Sequence, residues 1–241
     1  MNIYIYPNEE SLARAAAAMI AGIVMEKPGA VLGLATGSTP APVYRELARM
    51  THQGIVSFAH VCTYNLDEYA GLNPDHPQSY RRYMNEQLFD HIDIDPANTH
   101  VPSGFADAAM AAGYDEEIQA AGGIDLQLLG IGRNGHIGFN EPAGDFSRLT
   151  HIVDLTESTR QANARFFDRL DDVPRQAVSM GIGTIMQARR ILLIATGEEK
   201  ASAVRDMLNG AITPRMPASV LSLHRHVTVM LDNDAARLLN R

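Results

Sequence analysis

The sequence predicts an α/β fold built on a largely parallel central sheet with helices on both faces. Three observations carry this expectation. Continuous apolar runs at 30–35 (AVLGLA) and 191–196 (ILLIAT), with IDLQLLGIG at 124–132, read as strands buried on both faces. Longer amphipathic or Ala-rich segments alternate with them, as crossover helices do. Across all 241 residues no Ser-, Gly- or Pro-rich linker, internal period or low-complexity stretch intervenes, so the expectation is one domain over residues 1–241.

Taken in order, residues 2–6 (NIYIY) form a first strand closed by Pro7. Asn8 offers an oxygen to the free N–H groups of a following helix, and Glu9 and Glu10 suit its positive end. That helix runs to Lys27-Pro28-Gly29, whose proline and glycine stop it. The strand at 30–35 leads to a helix from Pro40 to about Gly54, with Leu47 and Met50 facing inward. AHVCTYN (59–65) is the next strand, followed by a helix around SYRRYMNEQLF. A helix near 105–120 precedes the run at 124–132. THIVDL then adds a strand, residues 157–168 a helix, ILLIAT a strand, residues from about 198 a helix, and HVTVML the last strand.

The 20 basic and 28 acidic residues leave a formal charge of −8, a field that repels nucleic acid and anionic lipid. An anionic substrate must therefore be held by a local positive site. Cys62 is the single cysteine, which rules out an intrachain disulfide and points to the reducing cytoplasm; placed mid-strand, it reads as an inert core thiol. The start MNIYIYPNEE lacks the basic and apolar regions of a signal peptide, and no apolar run approaches the ~20 residues of a membrane span. Neither a membrane nor a nucleic-acid partner is expected.

In parallel α/β sheets, sites form at the carboxyl ends of the strands, so the chemistry is sought in the loops there. The first such loop is Thr36-Gly37-Ser38-Thr39-Pro40. Gly37 lets the backbone approach a ligand, Thr39 is a good helix cap and Pro40 suits a first helical position. Together they aim N–H groups and hydroxyls at one spot, as a phosphate cradle requires. The lysine of nucleotide-triphosphate loops is missing, which favours a sugar phosphate. The second loop, Asn65-Leu66-Asp67-Glu68-Tyr69, sets two carboxylates at a strand end, where one sheltered carboxylate could abstract a proton beside a carbonyl. Neighbours in extended chain point opposite ways, and spacing favours Asp67 over Glu68 only weakly.

The third loop, GIGRNGHIGFNEP (130–142), opens like a dinucleotide fingerprint, with Asp154 near the acidic position. That motif needs a helix at its end. Gly138, Pro142 and Gly144 argue against one, so a nicotinamide or flavin is rejected. What remains is a glycine-rich loop presenting Asn134, His136 and Glu141, a set suited to a histidine acid/base oriented by a carboxylate. Arg160, Arg165 and Lys200 are cations that could close over a bound phosphate. His91, Asp93 and Asp95 alternate between faces without a second histidine cluster, so no metal site is expected.

LGLATGSTP, YNLDEYAGL, HPQSY, GIGRNGHIGFNEP, TRQANARFF and ATGEEK resemble, in order and spacing, the motifs of glucosamine-6-phosphate deaminases, over nearly the whole chain. The resemblance implies a Rossmann-like α/β fold and conversion of glucosamine 6-phosphate and water to fructose 6-phosphate and ammonia, in amino-sugar catabolism, with no metal or redox cofactor. It implies Asp67 as the base moving a proton between C2 and C1. His136 then opens the sugar ring with help from Glu141 and Asn134. Thr36, Gly37, Ser38, Thr39, Arg165 and Lys200 look like the phosphate grip, and Tyr80 lines the pocket. The segment 155–178 is a candidate lid because it carries Arg165.

The sequence departs from many members of that family. Their activator, N-acetylglucosamine 6-phosphate, is held partly by basic residues after the NEP motif, and here those positions fall on His151 and Val153. An apolar Val153 cannot hold a phosphate. With the chain stopping at Arg241, the expectation is a monomer without activation, other homo-oligomers remaining open. Competing readings are a deaminase or isomerase of galactosamine 6-phosphate and a 6-phosphogluconolactonase-like hydrolase. A catalytically silent sugar-phosphate sensor would be expected to lack Asp67 or His136, and both are present.

Overall fold

The computed structural model describes residues 1–167 and 169–239. In chain order the elements are β1 (Asn2–Tyr6), α1 (Glu9–Glu26), β2 (Val31–Leu34), α2 (Ala41–His52), β3 (Cys62–Asn65), β4 (Asp67–Tyr69), α3 (Tyr80–Gln87), β5 (Thr99–His100) and α4 (Ala108–Ala120). There follow β6 (Leu126–Leu129), β7 (His151–Asp154), α5 (Glu157–Asn163), β8 (Gln176–Ser179), α6 (Ile182–Met186), β9 (Arg190–Ala195), α7 (Ala201–Asn209) and β10 (Val227–Asp232).

Seven strands form the main sheet in the order β1-β10-β9-β6-β2-β3-β5, every neighbouring pair parallel. Alternate residues of the central strands serve opposite faces, as strand geometry dictates. Leu32, Leu34, Leu126, Leu128, Leu192 and Ile194 pack with Leu12, Ile20, Leu47 and Met84 of α1, α2 and α3. Val31, Leu129, Ile191 and Leu193 pack on the other side with Ile118, Ile185, Val204 and Met207 of α4, α6 and α7. This two-sided burial is why the central strands read as unbroken apolar runs. The cap expected at Asn8 is present, its side chain accepting from the Ser11 N–H at 2.9 Å.

β1 departs from the buried pattern. It lies at the sheet edge and exposes Ile3, Tyr4 and Ile5. The THIVDL strand, β7, lies outside the parallel sheet and pairs antiparallel with β8, which pairs antiparallel with β4 in a second, three-stranded sheet. The helix expected over 157–168 ends at Asn163 and tightens into a 3-10 turn over Ala164–Phe166; its expected last residue, Asp168, lies outside the described residues. Cys62 opens β3 half-buried instead of sitting mid-strand, and burial pushes its thiol pKa up.

From β2 the chain steps outward through β3 to β5, then crosses to β6 on the other side of β2 and steps outward through β9 to β10. The direction reverses between β2 and β6, the kind of switch point where loops splay apart and leave a crevice.

Candidate active site

A cleft of about 730 Å³ opens at that point, lined by the loops after β2, β3, β6 and β9. At its edge Thr36, Gly37, Ser38 and Thr39 turn from β2 into α2. Gly37 has φ +114, a conformation costly for any residue with a Cβ. The Tyr83 hydroxyl donates to the Gly37 carbonyl at 2.6 Å and fixes the loop from α3. Thr39 does not cap the helix as expected. Pro40 occupies the cap position and no side chain caps α2.

Arg133, Arg165 and Lys200 line the same cleft. None has an ion-pair partner among the described residues. Arg165 lies over the Phe166 ring, 4.7 Å from its centroid. Burial, with Arg133 and Arg165 nearby, pushes the Lys200 pKa down, against the pull of Glu199. Three cations without an ion-pair partner among the described residues gather positive potential in one cleft of an acidic protein.

The two adjacent carboxylates are separated by their strand. Asp67 lines the cleft, 6% exposed, and its carboxylate accepts no hydrogen bond among the described residues. Burial, reinforced by the Glu68 charge, raises its pKa from 3.8 to about 8. Glu68 points away and accepts from the backbone N–H groups of Tyr69 at 2.8 Å, Tyr80 at 2.9 Å and Arg81 at 3.0 Å. It clamps the start of α3, and so holds Tyr80 over the cleft in an aromatic group with Tyr69 and Phe139. The structure thus separates the two carboxylates: Glu68 is engaged by three backbone N–H groups, while Asp67 faces the cleft with no hydrogen-bond partner among the described residues.

His136 is held in the glycine loop by its carbonyl, which accepts from Gly132 N–H at 2.9 Å, and by its own N–H, which donates to Asn134 Oδ1 at 3.2 Å. A Cβ on Gly132 would lie 2.3–2.5 Å from the imidazole, so only glycine leaves room for the ring. Behind it, Glu141 accepts from Asn134 Nδ2 at 2.6 Å and from the Thr159 hydroxyl. His136 Nδ1 lies 3.5 Å from Glu141 Oε2, at the outer limit of hydrogen bonding, and has no other partner. Burial raises the Glu141 pKa, and His136, Thr159 and Asn134 more than reverse this, holding the carboxyl well below the usual carboxylate range. The pair is an ionised carboxylate facing an imidazole that faces the cleft.

A model of the family described as glucosamine-6-phosphate isomerases/6-phosphogluconolactonase matches residues 7–230. The chain belongs to this family. Among its relatives, a glucosamine-6-phosphate deaminase of Halothermothrix orenii is 51% identical over 99% of this chain and 100% of its own length. A solved structure of a monomeric glucosamine-6-phosphate deaminase matches with a TM-score of 0.96 and 50% identity, over 99% of this chain and 100% of that one. A 6-phosphogluconolactonase from Trypanosoma brucei, 22% identical over 99% and 98% of the two chains with a TM-score of 0.77, shares the fold alone.

Of the residues the sequence singles out, this member of the glucosamine-6-phosphate isomerase family brings Thr36, Gly37, Ser38, Thr39, Asp67, Tyr80, Asn134, His136, Arg165 and Lys200 to the cleft wall, with Glu141 one layer behind. Arg160 is not among them. It is buried and donates to the Leu170 and Val173 carbonyls, pinning the chain after α5. Arg133 and Thr159 join the site without being singled out by the sequence; they lie within GIGRNGHIGFNEP and TRQANARFF, where no local pattern separates them from their neighbours. His91 and Asp95 make local contacts, Asp93 accepts from the Phe58 N–H and the Ser57 hydroxyl far back in the chain, and no group of metal-ligating side chains occurs among the described residues. Val153 packs against the aromatic cluster around Tyr69 and Phe139. No described helix is long and apolar enough to cross a membrane.

Proposed function

We propose that this chain converts glucosamine 6-phosphate and water into fructose 6-phosphate and ammonia. The observation that carries the reading is the pairing, in one cleft, of a cationic end (Arg133, Arg165, Lys200) with a buried carboxylate that accepts no hydrogen bond among the described residues and a histidine–glutamate pair. Deaminases about 50% identical over their full length add to it.

The phosphate docks at the Thr36–Thr39 loop with Arg165 and Lys200, which fixes C1 and C2 at the far end of the cleft. His136, steadied by Glu141 and Asn134, moves a proton between O1 and the ring oxygen, and the C1–O5 bond opens to the aldehyde. Asp67 takes the C2 proton, giving an enolamine, and returns it to C1. The resulting C2 iminium adds water, and ammonia leaves as the C2–N bond breaks. C1 is reduced and C2 oxidised within one substrate, so the balance needs no external oxidant. The ammonium of the incoming sugar is the cation that Asp67 lacks, and its approach favours the ionised carboxylate.

The reading extends to one domain over residues 1–241, to a monomer in the cytoplasm, and to hyperbolic kinetics indifferent to N-acetylglucosamine 6-phosphate. The monomeric relative and the packed Val153 support this. The test incubates purified protein with glucosamine 6-phosphate, galactosamine 6-phosphate and 6-phosphogluconolactone. Release of ammonia and fructose 6-phosphate from the first is expected. Folded protein that turns over only one of the other two would transfer the assignment to it.

A further inference from the structure

The Glu141 carboxylate is held from two separate parts of the chain. The glycine loop takes one oxygen, Oε2, through Asn134 Nδ2 at 2.6 Å with His136 Nδ1 at 3.5 Å. The other oxygen, Oε1, is taken by α5. The Thr159 hydroxyl donates to it, and Thr156 Oγ1, the cap of that helix, lies 3.3 Å away. The Thr156 hydroxyl lies 3.1 Å from Thr159 Oγ1, so the two hydroxyls can form a directed chain, Thr156 to Thr159 to Glu141. Thr159 is 6% exposed and lines the cleft, and its segment continues into Asn163 and Arg165 on the same wall.

A chain of donors ending on Oε1 has chemical consequences. A carboxylate that receives donors on both oxygens is stabilised in its ionised, acceptor-only form. It is also fixed in plane, since rotation of the carboxyl would break the Thr159 and Asn134 bonds together. An ionised, oriented Glu141 then selects the His136 tautomer with hydrogen on Nδ1, leaving Nε2 to exchange protons with substrate.

We infer that Thr159 is a positioning residue of the ring-opening step, fixing the Glu141 carboxylate, and through it His136, from the helix that leads to the phosphate-binding Arg165. The inference rests on the roles given to His136 and Glu141 under the proposed function. It makes α5 a physical link between the two ends of the cleft: what displaces the phosphate-binding turn also loosens the acid–base pair.

The test replaces Thr159 by Val, which keeps shape and removes the hydroxyl, by Ala as a second hydroxyl-free variant, and by Ser, which keeps the hydroxyl. Two readouts are taken. The first is steady-state kinetics with glucosamine 6-phosphate. The second is NMR titration of the 13C-labelled Glu141 carboxyl without substrate, His136 being the titratable group that faces it. Thr159→Val and Thr159→Ala are expected to lower kcat about ten- to a hundredfold, as loss of a charge-assisted hydrogen bond implies, with KM changed less than about threefold. The Glu141 titration moves to higher pH in both, and Thr159→Ser restores both readouts. Wild-type kcat and an unmoved titration in the hydroxyl-free variants would overturn the inference, as would equal losses in Thr159→Ser. An inactive wild type would instead overturn the proposed function, while the Glu141 titration would still decide whether Thr159 holds the carboxylate.

Discussion

Asp67→Asn is expected to stabilise the fold at neutral and alkaline pH. The Asp67 carboxyl is buried beside Glu68 with no hydrogen-bond donor among the described residues, and its pKa stands at about 8 against an ordinary 3.8. A carboxyl raised in this way keeps its proton in the fold but loses it in the unfolded chain. Its contribution is complete below about pH 4 and is lost as pH rises toward about 8. At about 1.4 kcal/mol per pH unit over roughly four units, the ceiling of the loss is about 5 kcal/mol at pH 8. Asparagine has the same shape and no charge to bury. Urea unfolding of both proteins from pH 4 to pH 9 should show the variant gaining on the wild type as pH rises, by less than about 1 kcal/mol at pH 4 and by several at pH 8. Any steric difference between the side chains is independent of pH and cancels from the trend. Parallel stability curves across the range would refute the argument that Asp67 is an uncompensated buried carboxyl. The same carboxyl must be ionised to act as a base, so kcat/KM should climb with pH toward about 8.

Three further substitutions separate structure from chemistry. Glu68→Gln leaves at least one of three backbone donors poorly paired, and should cost about 1–3 kcal/mol of stability while the folded enzyme keeps most of its kcat, read by melting and by initial rates. Gly132→Ala places a methyl within 2.3–2.5 Å of the His136 ring and should lower kcat at least tenfold; full activity would mean that the ring's position is not critical. Arg133→Gln should raise KM for the sugar phosphate about five- to tenfold and leave kcat nearly unchanged, because it removes one of three cations far from the reacting carbons.

The parallel sheet is legible in the sequence because its central strands are buried on both faces, and a run as short and continuously apolar as ILLIAT fits such a strand better than a helix. β4, β5 and β8 are not legible, since none of these stretches of two to four residues lies in a longer apolar or alternating run that would mark a strand. β7 reads as a strand but not as part of a separate antiparallel sheet, because pairing partners distant in sequence leave no local mark on it. At the site, the loops after strands can be found by their glycines and polar clusters. The division of labour between Asp67 and Glu68 cannot, because it depends on three N–H groups of which two belong to α3, about a dozen residues further on. Arg133 and Thr159 are hidden for the same reason: their value comes from what the fold sets opposite them.

The most direct measurement compares wild type with Asp67→Asn on glucosamine 6-phosphate, recording ammonia and fructose 6-phosphate together with the affinity for a non-reacting sugar phosphate. The expected result is production of both by the wild type, loss of turnover by at least about a thousandfold in the variant, and affinity within a few-fold. Turnover that survives the substitution would contradict the assignment of Asp67 as the base that moves the proton between C2 and C1.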